Sequence, residues 1–181
     1  MHNLAALGRG VDCERFHPSH RDEALRKRWQ AGEDDLVLLY VGRLASEKNL
    51  DLLVSSWRAL SARNEGTGPG LRLVLAGSGP LKRRLAKQLP GAVFTGSLAG
   101  PELARVYASA DIFLFPSLTE TFGNVVLEAM ASGLAINAFD LAAANQYVSD
   151  RYNGCVATAG NAIARNGAMV SRRSYPAGRA S

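Results

Sequence analysis

Three small groups of residues in this chain could do chemistry. The first is an acid pair, Glu120 and Glu128, in the stretch PSLTETFGNVVLEAMASG at 116–133. That stretch reads as a loop entering a helix over about 122–132, apolar almost all round through Phe122, Val125, Val126, Leu127, Ala129, Met130 and Ala131. Only Asn124, Glu128 and Ser132 interrupt it, and residues four apart share one helical face. A carboxylate facing a dry interior costs on the order of several kcal/mol unless it is paired. The polar stripe therefore fits a wet cleft or a polar ligand, or else a salt bridge from Glu128 to a neighbouring Arg or Lys. Gly123, at the start of the helix, would let a ligand approach backbone N–H groups carrying positive dipole charge.

The second group is Arg43 and Lys48 in VGRLASEKN, at the end of a continuous apolar run. Two cations at such a strand end can hold a diphosphate, Arg through its fork and Lys as a point charge. They could equally pair with Glu47 or Asp51. The third group is LAGSGP at 75–80, which carries part of a dinucleotide fingerprint. It lacks the third glycine, because Lys82 stands three residues after Gly79, and no acid follows at the fingerprint's spacing, so NAD binding is excluded. A tight turn that lets a ligand pass close to backbone is still compatible with it. No G-x-x-x-x-G-K-[ST] loop and no G-x-S-x-G elbow occur, which excludes a P-loop ATPase and an α/β-hydrolase. Glu33, Asp34 and Asp35 precede a strand and read as a solvated loop, with no Asp-x-Asp metal motif.

The elements that must position these groups follow from periodicity. LVLLYVG (36–42) reads as a strand buried on both faces. A helix follows from about Asn49 to Arg63, then a loop at 64–70, a strand at 71–77 and a helix at 79–89 with Pro80 in its first turn. A strand at 92–96, a short helix at 101–110 and a strand at 111–116 lead into the helix bearing Glu128. A strand at 133–139, a helix near 142–149 and a strand near 154–157 complete the pattern. Strands alternating with helices through short connections predict an α/β fold, a parallel sheet with helices on both faces. Ligands bind such sheets at the carboxyl ends of the strands, and all three groups fall there. Residues 1–20 read as a linker, 21–160 as the domain, and 161–181 as a disordered or atypical tail.

Composition narrows the function. With 181 residues and 47% hydrophobic content, the chain suits one domain with a real core. No apolar run is long enough to span a membrane, and the first twenty residues do not form a signal peptide. Cys13 and Cys155 make no disulfide framework, and His2, His17 and His20 read as loop residues rather than metal ligands. The net charge of +5 suggests nucleic acid, but Arg165, Arg172, Arg173 and Arg179 all lie in the acid-free tail. Without them, 17 basic residues face 16 acidic ones. The cluster Lys82, Arg83, Arg84 and Lys87 reads as a solvated helix face first, and as a membrane-surface or phosphate patch second. No nucleic-acid partner is expected, and a cytoplasmic location is the default.

In order and spacing, GRGVDCERFHP, YVGRLASEKNLDLL, LVLAGSGP, FTGSL, ASADIFLFPSLTETFGNVVLEAMASG and the pair Asn153-Gly154 resemble a known family. They are similar to the carboxyl-terminal donor-binding domain of retaining nucleotide-sugar glycosyltransferases of the group 1 (family 4) type. The resemblance implies a Rossmann-like domain, one half of a two-Rossmann-domain enzyme. It implies transfer of a hexose from a nucleoside diphosphate sugar to an acceptor hydroxyl with retention, without cofactor or metal. The wording lies nearest bacterial α-mannosyltransferase-like members, which suggests GDP-mannose, with a UDP-sugar as the other donor to weigh. By resemblance Glu120 contacts the donor sugar, helped by backbone N–H groups of Phe122, Gly123 and Asn124, and Glu128 holds the ribose. Arg43 and Lys48 match the diphosphate-binding pair. Gly42, Gly77 and Gly79 line the nucleotide side, and the segment from Thr95 to Leu98 lies near the base.

Three features depart from the family. Its amino-terminal acceptor domain is missing, and so are its closing helices after residue 160. The strand after ASG, usually Leu-Pro-Val-Val-Ala, reads Leu134 to Ala138 with Asn137 in the middle. The chain thus reads as a fragment whose acceptor, a lipid or glycan, would be held elsewhere, with peripheral membrane contact belonging to the full-length protein. The alternatives are a non-catalytic nucleotide-sugar-binding module, one part of a split enzyme, or an epimerase or phosphorylase of related architecture.

Overall fold

The computed structural model describes residues 10–64, 68–116, 124–139 and 154–157. Six parallel strands form one sheet: β1 (Leu36–Val41), β2 (Leu71–Ala76), β3 (Val93–Gly96), β4 (Ile112–Phe115), β5 (Ala135–Phe139) and β6 (Gly154–Ala157). Their spatial order is β3-β2-β1-β4-β5-β6, so the chain winds one way from β1 to β3 and then reverses to build β4 to β6. The Rossmann-like α/β expectation holds.

The continuous apolar run of β1 is explained by burial on both faces. Leu36, Leu38 and Tyr40 pack with Leu50, Leu53, Leu85 and Leu89 under the helices α2 (Leu50–Asn64) and α3 (Lys82–Gln88). Val37 and Leu39 point the other way, toward Tyr107 of α4 (Gly100–Ala108) and Ala129 of α5 (Asn124–Ala131). A strand that must satisfy two apolar layers cannot alternate polar and apolar residues.

Three differences from expectation have physical reasons. α3 starts at Lys82 rather than at 79, because Leu81 N–H donates to Leu44 C=O at 2.9 Å. That segment's backbone is committed to the neighbouring loop before it can turn helical. Phe16, expected within a linker, is buried and meets the Tyr107 ring edge-on at 5.6 Å. Third, a helix precedes β1 that periodicity did not suggest, α1 (Glu23–Arg28), only six residues long. It survives by capping and ion pairing: Asp22 accepts from Leu25 N–H at 3.0 Å and from Arg105 at 2.6 Å. Arg105 holds the Asp22 carboxyl below the usual carboxylate range.

α1 also delivers Arg26, a fully buried guanidinium, to the amino-terminal ends of the strands. Its Nη1 donates to Asp111 Oδ2 at 2.9 Å and to Ser109 C=O at 3.0 Å, and its Nη2 donates to Asp35 C=O at 2.7 Å. Asp111 in turn accepts from Arg21 at 3.2 Å and from Val37 N–H at 2.8 Å. The bottom of β1 and β4 is therefore sealed by a desolvated ion pair with most of its hydrogen bonds made.

Asn137 lies in β5, 8% exposed, with Oδ1 unpartnered among the described residues. The helix expected near 142–149 and the tail beyond 160 lie outside the described residues.

Candidate functional site

At the opposite end of the sheet the strands open into a cleft of about 540 Å³. Val41, Gly42 and Arg43 line it where β1 ends, and Ala76 through Pro80 where β2 ends. Ser97 and Leu98 line it after β3, and Leu103 of α4 closes one side.

Its floor is main chain. Gly42 N–H donates to Ala76 C=O at 3.0 Å, and Leu44 N–H to Ser78 C=O at 2.8 Å, so the loops leaving β1 and β2 run side by side. A Cβ on Gly77 would overlap the Gly42 carbonyl oxygen, and one on Gly79 would overlap the backbone of Leu44. Both glycines also hold φ near the edge of the left-handed range, at 151° and 159°. The two glycines of LAGSGP are thus required by the crossing of two backbones, a constraint present before any ligand arrives.

Arg43 stands at the mouth, exposed, with Glu47 at 3.6 Å as a weak surface partner. Its carbonyl is braced from below by the Tyr40 hydroxyl, which donates to it at 3.0 Å. Burial pushes the Tyr40 phenol far above its ordinary pKa, with the Glu47 charge adding to the effect, so Tyr40 stays a neutral donor. Lys48 ends a 3-10 turn over Ser46–Lys48. The next residue, Asn49, adopts a left-handed conformation with φ 50° and donates from Nδ2 to Pro116 C=O at 3.2 Å. That bond ties the Arg43–Lys48 loop to the end of β4, across the line where strand order reverses, which is where ligands gather in open parallel sheets.

Glu128 is half-buried on α5 and has no ion pair among the described residues. The salt bridge weighed as its alternative role is therefore not found there. It lies against Tyr107 of α4 instead. Burial pushes the Glu128 carboxyl above the usual carboxylate range, and the Tyr107 hydroxyl pulls it part of the way back. α5 packs on the same face of the sheet as Val41, Leu98 and Leu103, three of the residues lining the cleft. Glu128 itself is not among the lining residues.

The cleft brings together Gly42, Arg43, Gly77, Gly79 and Leu98 from three separate loops. Thr95 does not line it; it lies within β3, where its hydroxyl donates to Gly96 C=O at 3.0 Å. Asn124 is exposed at the first turn of α5. Glu120, Phe122 and Gly123 lie outside the described residues. Ser97, within the segment expected near the base, meets the Ser78 hydroxyl at 2.7 Å across the cleft wall; sequence reasoning missed Ser78, Leu103, Tyr107 and Asn49 as site residues. Leu103 and Tyr107 were legible only as helix-spaced apolar positions. Among the described residues there is no cluster of metal-binding side chains and no helix long and apolar enough to cross a membrane.

The family described as Glycosyl transferases group 1 matches residues 35–171. A GDP-mannose-dependent alpha-mannosyltransferase of Corynebacterium glutamicum is 44% identical over 134 residues, covering 74% of this chain and 30% of that protein. The sulfoquinovosyl transferase SQD2 of Arabidopsis thaliana is also 44% identical, over 136 residues, covering 74% of this chain and 25% of that protein. Among solved structures, Anabaena Alr3699/HepE in complex with UDP and glucose superposes with a TM-score of 0.72 at 21% identity, covering 91% of this chain and 47% of that one. The chain thus spans less than half the length of each.

Proposed function

The chain belongs to the group 1 glycosyl transferases, and we propose that it forms the donor half of a retaining hexosyltransferase. The donor is a nucleoside diphosphate sugar, GDP-mannose in the first instance. The observation that carries this is the convergence of Arg43 with three glycine-bearing loop ends in one cleft at the carboxyl end of the sheet.

In this reading the diphosphate lies over the main-chain floor, close to Gly42, Gly77 and Gly79, because no side chain stands in its way. Arg43 grips it with its fork and Lys48 adds a point charge. The reaction's main difficulty is negative charge building on the leaving diphosphate as the anomeric bond breaks. Cations already held at that point are typically the largest catalytic contribution. The Tyr40 brace on the Arg43 carbonyl fixes the main chain from which its guanidinium reaches. Glu128 accepts from the ribose hydroxyls, and Glu120 contacts the sugar. Leu98 and Ser97 flank the base.

GDP-mannose is favoured by the names of the mannosyltransferase relatives. SQD2 is matched with the same identity, so its different sugar makes the donor a question for titration. Transfer also needs an acceptor hydroxyl beside the anomeric carbon, and such positioning is worth roughly 7–11 kcal/mol of a barrier. We assign it to the part of the relatives' length that this chain does not span. The test is calorimetric titration of the chain with GDP, UDP and GDP-mannose, followed by assay of nucleoside diphosphate release with and without lipid and glycan acceptors. GDP binding with little acceptor-dependent release is expected. Failure to bind either nucleotide overturns the donor-half reading, and efficient acceptor-dependent turnover overturns the assignment of acceptor positioning to another part.

A further inference from the structure

Tyr107 is fully buried, and its hydroxyl has no hydrogen-bond partner of good geometry among the described residues. Its ring is clamped by Phe16 at 5.6 Å and Phe113 at 5.9 Å, so the hydroxyl cannot swing out to water. α4 packs against α5, and the polar group there that acts on the phenol is the Glu128 carboxylate. A buried hydroxyl without a partner is costly, and a phenylalanine would fill the same space without that cost.

We propose that Tyr107 is a positioning residue for Glu128: its O–H is the donor that steadies one carboxylate oxygen and keeps the acid ionised, leaving the other oxygen to accept from ligand hydroxyls. This rests on the reading of Glu128 as the ribose acceptor. Burial is the main cause that raises both groups; beside it, the phenol draws the acid down and the acid pushes the phenol up. Among the described residues, no other titratable side chain competes with the pair. α5 carries none besides Glu128, and β4 and β5 carry none. On α4, Glu102 is exposed and Arg105 is engaged with Asp22. The turn at 18–20, which packs on α4, offers only the exposed His20, bonded to Glu14 C=O.

The sign of the consequence is fixed. A protonated Glu128 cannot accept from both ribose hydroxyls, so GDP affinity falls as pH drops through its raised pKa. Removing the donor destabilises the ionised acid and moves that midpoint to higher pH. The experiment is GDP titration from about pH 5 to pH 8 on the wild type, Tyr107→Phe and Glu128→Gln, with thermal unfolding of each. One unit of midpoint shift corresponds to about tenfold weaker binding on the acid side. Tyr107→Phe should keep its melting temperature and shift the midpoint upward, with the loss largest at low pH. Glu128→Gln should bind weakly with a flat profile. Coincident profiles for wild type and Tyr107→Phe, or a weakening independent of pH, overturn the proposal while a flattened Glu128→Gln profile leaves the ribose reading standing. A Glu128→Gln variant that binds like wild type overturns that reading instead. Should Tyr107→Phe fail to fold, 3-fluorotyrosine placed at 107, a stronger donor, must move the midpoint downward, and an unmoved midpoint overturns the proposal.

Discussion

The two ends of the sheet are built from the same residue types to opposite effect. At the amino-terminal end Arg26 is fully buried against Asp111, and three backbone carbonyls accept from its two terminal nitrogens. At the carboxyl end Arg43 is exposed, its nearest acid is 3.6 Å away, and the floor beneath it is bare backbone. A charge that must hold a fold together is desolvated and held by several partners at once. One that must receive a ligand is left wet and only loosely engaged, because each bond it already makes would have to be exchanged.

That contrast can be broken at either end. Asp111→Ala should have the largest effect, a loss of about 3–5 kcal/mol of unfolding free energy, since it strands a buried guanidinium. Denaturant unfolding measures it, and a loss below about 1 kcal/mol would mean Arg26 is supported well enough by carbonyls alone. Gly77→Ala comes next. The added methyl meets the Gly42 carbonyl, and overpacking of this kind costs roughly 1–3 kcal/mol. Nucleotide affinity should fall with stability, because floor and fold are the same atoms; an alanine variant of unchanged stability would show that the loops part easily.

Arg43→Ala sharpens the comparison from the other side. Its unfolding free energy should change by no more than about 0.5 kcal/mol, while GDP affinity weakens by roughly 1.5–3 kcal/mol for a lost charge-assisted hydrogen bond. Equal effects on both would make Arg43 a structural residue. The smallest effect belongs to Arg84→Ala on α3, whose pair with Asp51 joins two exposed side chains. Such pairs contribute about 0–1 kcal/mol, and neither stability nor GDP affinity should move beyond that.

The sheet and its strand ends were legible because β1 and β4 are apolar runs that only a doubly covered strand explains, and β2 is apolar apart from Arg72. Arg43, Gly77 and Gly79 were legible because they punctuate those runs. α1 was not, since six residues give no period, and its stability comes from Asp22 meeting Arg105 some eighty positions away. Arg26 was invisible for the same reason: nothing local distinguishes a buried guanidinium from a solvated one in EALRKR. The reason for the two glycines also escaped a linear reading, which sees room for a ligand where the fold has already placed Leu44. Tyr107 looked like core, and it is core; its hydroxyl acquires meaning only once α5 is laid beside it.

The backbone floor carries a consequence for any attempt to change the sugar nucleotide this cleft accepts. Amide and carbonyl groups are the same whatever residue bears them, and here even the glycines are held in place by their neighbours. Substitution therefore has almost nothing to grip on the floor. Variation in preference has to be written on the walls, at Ser78, Ser97, Leu98 and Leu103. A library confined to those four positions would explore the cleft's selectivity while leaving its bed untouched.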